Sequence, residues 1–148
     1  MKNFKLFLPA LFLLCAFCKK DSPSQVELIL ANGTWYLEAY FTDDNEDGIF
    51  EDATLPCQSG DGFNFSPNYQ FEMRDEIEYC DTDVDSVFVL PGTWEMKENN
   101  TVVAVALADG ELVTNFHIYS INDTLLELRT YESLVTQEPQ EERFVLRR

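Results

Sequence analysis

Positive charge is scarce in this chain: 10 Lys and Arg stand against 27 Asp and Glu in 148 residues, for a formal net charge of −17. Nucleic-acid recognition rests on clustered Lys and Arg, so so acidic a chain is excluded as a polyanion binder. Histidine is scarcer still. His117 is the single one, flanked by Phe116 and Ile118, so any Ser-His-Asp or Cys-His arrangement would have to be built on that residue. The chain has no Gly-x-Ser-x-Gly elbow and no phosphate-binding glycine loop. Carboxylate pairs are plentiful, but in so acidic a chain they carry no catalytic signal of their own. The reading is therefore of a protein that is not an enzyme, with His117 an ordinary strand residue. What the chain does have is core-forming material: 45% hydrophobic and 14% aromatic residues, enough for one compact domain and too much for disorder.

Long apolar runs are also missing. Leu6 to Phe17 gives 12 apolar residues behind Lys2 and Lys5, about half of what a bilayer-spanning helix needs. Residues 1–17 thus read as a signal peptide, 18–25 as a polar tether and 26–148 as the exported domain. The run ends at Cys18, followed by Lys19, Lys20 and Asp21. This arrangement resembles a bacterial lipoprotein signal of the Bacteroidota type, which implies lipidation of Cys18 and anchoring through that lipid to the outer membrane of the cell envelope. Phe17 before the cysteine departs from the small residue usual there. The alternatives are lipidation at Cys15 or an ordinary secretory signal. Cleavage before Cys18 removes two lysines and no acids, and takes the formal charge from −17 to −19.

Cysteine is limited to four residues, and two of them belong to the targeting segment. The remaining pair, Cys57 and Cys80, reads as one disulfide in an oxidising compartment. A metal or redox pair is the rival reading, but the spacing is unlike Cys-x-x-Cys and no histidine is near in sequence. On the chain-entropy model the closed loop would contribute about 3 kcal/mol.

From Gly33 onward apolar residues recur with a period of two. Trp35, Leu37, Ala39 and Phe41 fall on one face of the first strand, with Thr34, Glu38 and Tyr40 on the other. Alternation returns at Phe63 and Phe65, at Tyr69, Phe71 and Met73, and at Trp94 and Met96. Turn residues separate the runs: Ser66-Pro67-Asn68, Pro91-Gly92, Asn99-Asn100, Asp109-Gly110 and Asn122-Asp123. Asn99-Asn100 and Asp109-Gly110 predict tight hairpins. With Thr101 to Leu107, Leu112 to Ile121, Leu125 to Glu132 and Arg143 to Leu146, the count is eight strands, preceded by a short helix around Val26 to Leu30. Sequential hairpins without a long crossover predict an all-β, eight-stranded antiparallel up-and-down barrel, either filled by side chains or holding one small ligand.

Asn32-Gly33-Thr34-Trp35 at the start of the first strand resembles the Gly-x-Trp opening of lipocalins. The order of Leu55-Pro56-Cys57, Phe63-Asn64-Phe65, Gly92-Thr93-Trp94 and Leu125-Leu126-Glu127-Leu128 is similar to the lipocalin-like domain of small Bacteroidota lipoproteins. The resemblance covers Leu28 to Tyr131 and implies the barrel, with Trp35 sealing its closed end. Plain core packing is the alternative role for Trp35 and Trp94. The resembling domain usually ends near the Leu125 to Glu132 strand, so Arg143 to Arg148 either closes the barrel or hangs free.

Asp43, Asn45 and Asp47, with Gly48 after the third, follow the D-x-N-x-D-G order of a calcium loop. The side chains of Asp43, Asn45 and Asp47 and the carbonyl of Ile49 are the expected ligands. The twelfth position is Thr54, not Glu, so closure by Glu51 or Asp52 is expected, and extracellular sites of this kind bind at roughly 10⁻⁴ to 10⁻³ M. The alternative is a solvated acidic loop. Asp75 to Asp85 forms a second acidic segment around Cys80, most simply a solvated loop.

The functional expectation is a lipid-anchored module holding a small apolar or amphipathic ligand in its barrel. Ala39, Ala104 and Ala106 are candidates to open interior space. A protein-interaction or protease-inhibitor-like barrel acting through its loops is the alternative. An aromatic-lined cavity would favour the first reading, a filled core with an apolar loop patch the second, and paired carboxylates in a cleft an enzyme.

Overall fold

The structure is a computed structural model of the 148-residue chain, and it describes residues 22–45, 47–74, 89–108, 113–132 and 139–148. A short helix, α1 (Gln25–Leu30), precedes nine strands: β1 (Thr34–Thr42), β2 (Glu51–Asp52), β3 (Gly62–Phe65), β4 (Gln70–Arg74), β5 (Val89–Lys97), β6 (Val102–Leu107), β7 (Val113–Ile121), β8 (Leu125–Glu132) and β9 (Pro139–Arg147). Every pairing is antiparallel, and each strand from β3 to β8 pairs with the next in sequence. β1 pairs with β3 on one side and β9 on the other, so eight strands close into a barrel. The C-terminal segment is thus the closing strand: Leu37↔Leu146 and Tyr40↔Phe144 are facing pairs. β2 is an extra two-residue strand on β1, at Phe41↔Asp52 and Thr42↔Glu51.

Between β2 and β3 the edge of β1 has no strand partner, and the connection at 53–61 supplies its hydrogen bonds instead. Leu37 N donates to Asp61 O (2.9 Å) and Leu37 O accepts from Gly60 N (2.9 Å). Tyr40 N donates to Thr54 Oγ1 (2.7 Å) and Tyr40 O accepts from Ala53 N (2.9 Å). The wall of the barrel therefore stays satisfied where β1 changes neighbours.

Strict alternation fails at one point that matters for function. A β-bulge between Leu37 and Ala39 shifts the register of β1 against β9. An inserted residue reverses which face the following side chains take. Trp35 and Leu37 point inward as expected, but beyond the bulge Tyr40 and Thr42 take the inward positions. Ala39 and Phe41 face out, opposite Val145 and Arg143. Ala104 and Ala106 also lie outside the lumen, because the inward residues of β6 are Val103, Val105 and Leu107. None of the three alanines opens the interior.

Two turn expectations are corrected as well. Pro91 and Gly92 lie inside β5, facing Glu72 and Phe71. Proline is tolerated because its missing N–H falls beyond Gly92↔Leu107, the last pair of the β5–β6 ladder. Gly92 is required because a Cβ there would come within 2.5 Å of Ala106 O. Asn99-Asn100 is not a two-residue hairpin: Lys97 pairs with Val102, and Glu98, Asn99 and Asn100 all carry positive φ in a longer link. Asp109-Gly110 lies outside the described residues.

The core is graded along the barrel axis. Leu30, Trp35, Phe65, Leu126 and Leu146 are fully buried at the end where β1 begins. There Phe65 meets Trp94 edge-on at 5.9 Å, and Tyr69 lies 5.2 Å from Trp94.

Candidate functional site

The barrel has a floor and a mouth. At the floor, α1 is fixed by a capping box in which Ser24 Oγ accepts from Glu27 N (3.1 Å) and Glu27 Oε2 accepts from Ser24 N (2.6 Å). The helix ends by presenting Leu30 O to Trp35 Nε1 at 2.9 Å. Gly33 makes the turn into β1 with φ +108, a conformation side-chain-bearing residues rarely adopt. The Arg148 guanidinium lies 3.9 Å above the Trp35 ring, and it donates to Ile29 O (3.0 Å) and to Asn32 O. Helix, tryptophan and C-terminal arginine thereby lock one end of the barrel. A second indole, Trp94, donates to Ser66 O (3.0 Å) in the β3–β4 turn.

The other half is hollow. A cavity of about 300 Å³ runs from Phe63, Phe71, Phe116 and Phe144 at mid-barrel to Met73, Leu90 and Leu107 near the mouth. Its size is at the lower end for small-molecule sites, and its walls are mostly apolar, as such sites are. Phe144 organises the bottom, with Tyr40, Phe116 and Phe63 rings 5.0, 5.7 and 6.5 Å away. The indoles of Trp35 and Trp94 are spent on the floor, while phenylalanines and aliphatic side chains line the inward rows above.

Polar groups enter the lining at Tyr40, Gln58, Asp61, Thr114 and Glu142. Glu142 is the notable one. It lies on the inward row of β9 with Phe144 and Leu146, only 1% exposed, facing Thr42 on β1 and Thr130 on β8. Tyr40 hydrogen-bonds Glu142, and burial, that bond and the negative charge of Glu142 hold the phenol well above its ordinary pKa. Neither residue was a sequence-level candidate. Glu142 is one position before the predicted strand start at Arg143, and extending the alternation Leu146, Phe144 backwards would have found it.

The acidic loop sits beside the mouth. Asp43, 8% exposed, accepts from Asp47 N (3.1 Å) and Gly48 N (2.9 Å), one bond to each carboxylate oxygen. Asp47 accepts from Ile49 N (2.8 Å), and Gln140 Nε2 donates to Asp44 (2.5 Å). Asn45 lies in the exposed turn between them, while Glu51 and Asp52 are exposed on β2, where Asp52 accepts from Thr54 N (2.9 Å). A bond from the Thr54 side chain, and then that backbone bond, lower the Asp52 pKa. Among the described residues no three Asp, Glu, His or Cys side chains converge as a metal cluster. The loop is held by hydrogen bonds from its own backbone N–H groups to the Asp43 and Asp47 carboxylates.

His117 points outward on β7, its ring 4.9 Å from Tyr131 and away from the cavity. Cys57 lies in the turn before β3. Cys80, the 75–85 acidic segment, Cys15 and Cys18 all lie outside the described residues.

The barrel is small and antiparallel, plugged at one end by a helix and a tryptophan and hollow at the other. The chain belongs to the lipocalin-like domain family, whose model matches residues 32–128. The match stops short of β9, the strand that closes the barrel. Among solved structures, the chain is similar to a complex of bovine odorant-binding protein with a selenium-containing odorant, with a TM-score of 0.51 at 10% identity. That alignment covers 88% of this chain and 76% of the other. A deswapped triple mutant of bovine odorant-binding protein gives 0.46 at 10% identity, covering 78% and 72%. No curated protein matches the chain by sequence.

Proposed function

We propose that this protein is a non-catalytic binding module of the cell envelope that holds one small apolar or amphipathic ligand in the open half of its barrel. The observation that carries the reading is the aromatic-walled cavity of about 300 Å³ above a plugged floor. A filled core would have favoured action through the loops instead. The odorant-binding protein named above supports the same reading by fold alone, since it forms a complex with a selenium-containing odorant. Isothermal titration of the purified protein with 1-octanol tests it: the expected result is saturable one-to-one binding, weakened at least tenfold by Leu107→Trp, which fills the mouth. No saturable heat up to the solubility of octanol refutes it.

The lipid anchor at Cys18 and the outer-membrane location belong to this proposal. α1 starts at Gln25 on the closed end, so a tether from Cys18 reaches at most about 24 Å and joins the barrel at the end opposite the mouth. Acyl chains on Cys18, read by mass spectrometry of membrane fractions, are the check. A Cys57–Cys80 disulfide fits the same compartment. Gly62 pairs with Arg74 at the mouth, and the two cysteines lie five residues before and six residues after that pair. Calcium at Asp43, Asn45, Asp47 and the Ile49 carbonyl would stiffen the rim. Millimolar calcium should then raise the melting temperature of wild type but not of Asp47→Asn, and an unchanged wild-type melting temperature removes calcium from the account.

A further inference from the structure

One side of the cavity is walled by a segment that is not a strand. Toward β9, the edge of β1 runs in facing pairs from Tyr36↔Arg147 to Thr42↔Glu142, broken only by the bulge. On its other edge, among the described residues, the pairing with β3 stops at Tyr36↔Gly62 and resumes with β2 at Phe41↔Asp52. Residues 53–61 span that gap. Gln58 and Asp61 of this strap share the cavity lining with Leu37 and Tyr40 of β1, so the strap and its seam with β1 form the lumen wall at that height.

Two observations make this seam the part of the wall that opens at least cost. Its backbone bonds gather at two points: Leu37 with Gly60 and Asp61 at the lower end, and Tyr40 with Ala53 and Thr54 at the upper. The bond that Tyr40 N donates at the upper point goes to a side chain, Thr54 Oγ1 at 2.7 Å, and not to a strand carbonyl. The strap also buries nothing of its own. Leu55, Pro56 and Ser59 are exposed and its other residues are half-buried, whereas Phe144 and Leu146 on the β9 side of β1 belong to the core. Local opening follows the elements with few buried apolar contacts. Parting β1 from β9 would break a ladder and uncover core side chains, while swinging the strap aside breaks the bonds at two points. The Cys57–Cys80 disulfide proposed above would tie the strap to the chain that follows β4, leaving the seam with β1 as the side that parts.

Resting on the lumen-binding reading above, we propose that the 53–61 strap is a side gate: it swings away from β1 between Leu37 and Tyr40 to admit the ligand and closes behind it, with Thr54 as its latch. A gate alters access and not the bound state, so weakening the latch speeds entry and exit by the same factor and leaves affinity where it was.

The experiment has two arms on the purified protein. Amide hydrogen exchange of the ligand-free wild type, which needs no variant to fold, should show the seam amides of Leu37, Tyr40, Ala53 and Gly60 exchanging at least about a hundredfold faster than those of the β8–β9 ladder. Line-shape analysis of an NMR titration with 1-octanol should then show that Thr54→Val, which keeps the side-chain shape without the hydroxyl, raises the association and dissociation rates alike by about fivefold, the worth of one hydrogen bond, with Kd unchanged. Seam amides as protected as the β8–β9 ladder overturn the gate and leave the cavity standing. So do rates that stay the same in Thr54→Val, the result of entry through the mouth, and so does a change in dissociation alone, which makes Thr54 a contact and not a latch. Absence of saturable octanol binding overturns the cavity reading together with the gate.

Discussion

The two ends of this barrel are built from the same strands and do opposite things. At the closed end, Trp35, Phe65 and Leu30 are fully excluded from solvent, and the polar atoms of Trp35 and Arg148 are used to tie helix, strand and C-terminus together. At the open end the lumen is hollow, and phenylalanines, aliphatic side chains, a carboxylate and a phenol line it. Stability is concentrated where the barrel is filled, and the proposed recognition where it is not. This is the division expected of a binding protein: a rigid floor lets the mouth carry an unfilled volume and a buried charge that would be poor choices in a core.

That contrast breaks most visibly at the floor. Trp35→Ala removes a fully buried indole and leaves Leu30 O without its donor, so unfolding free energy should fall by about 3 to 5 kcal/mol, measured by chemical denaturation. The same truncation at the mouth, Met73→Ala, borders space that already exists and should cost about 1 kcal/mol, while changing octanol affinity. A Met73→Ala loss as large as that of Trp35→Ala would abolish the distinction between the ends. Arg148→Ala comes next, at about 1 to 2 kcal/mol, because it loses the stack on Trp35 and the bonds to Ile29 O and Asn32 O. The smallest effect is in alkaline titration. Tyr40 has a raised folded pKa, so its contribution is present below the ordinary value of 10.0 and is lost as pH rises through the higher folded value. Absorbance titration should therefore show one tyrosine ionising above the ordinary phenol range, a late component missing from Tyr40→Phe.

Most of the barrel was legible because period-two alternation and turn residues carry β structure directly. Trp35, Phe63, Phe65, Phe71 and Trp94 face inward as the pattern predicts, and α1 lies where the short apolar stretch ended before Asn32-Gly33. The site was less legible for a physical reason. Its polar members lie just where alternation is interrupted: Tyr40 follows a bulge that reverses its face, and Glu142 breaks an apolar row with a charge. Pattern reading assigns both to solvent. Pro91 and Gly92 read as a turn on composition, because nothing in the chain itself reveals the close approach of Ala106 O. Arg148 had no sequence signal, since its role depends on the C-terminus returning to the N-terminal helix. The acidic pattern at Asp43 to Asp52 marks a real loop, one whose turn is closed by its own side-chain-to-backbone bonds.

The most direct test of the division is a methyl-resolved NMR titration with 1-octanol. Signals of Met73, Leu90, Val105 and Leu107, which line the cavity, should shift together and saturate, while those of Leu30, Leu126 and Leu146 at the floor stay in place. Shifts confined to exposed residues such as Ile49 and Leu55, or no saturable shift at all, would contradict a ligand-binding lumen.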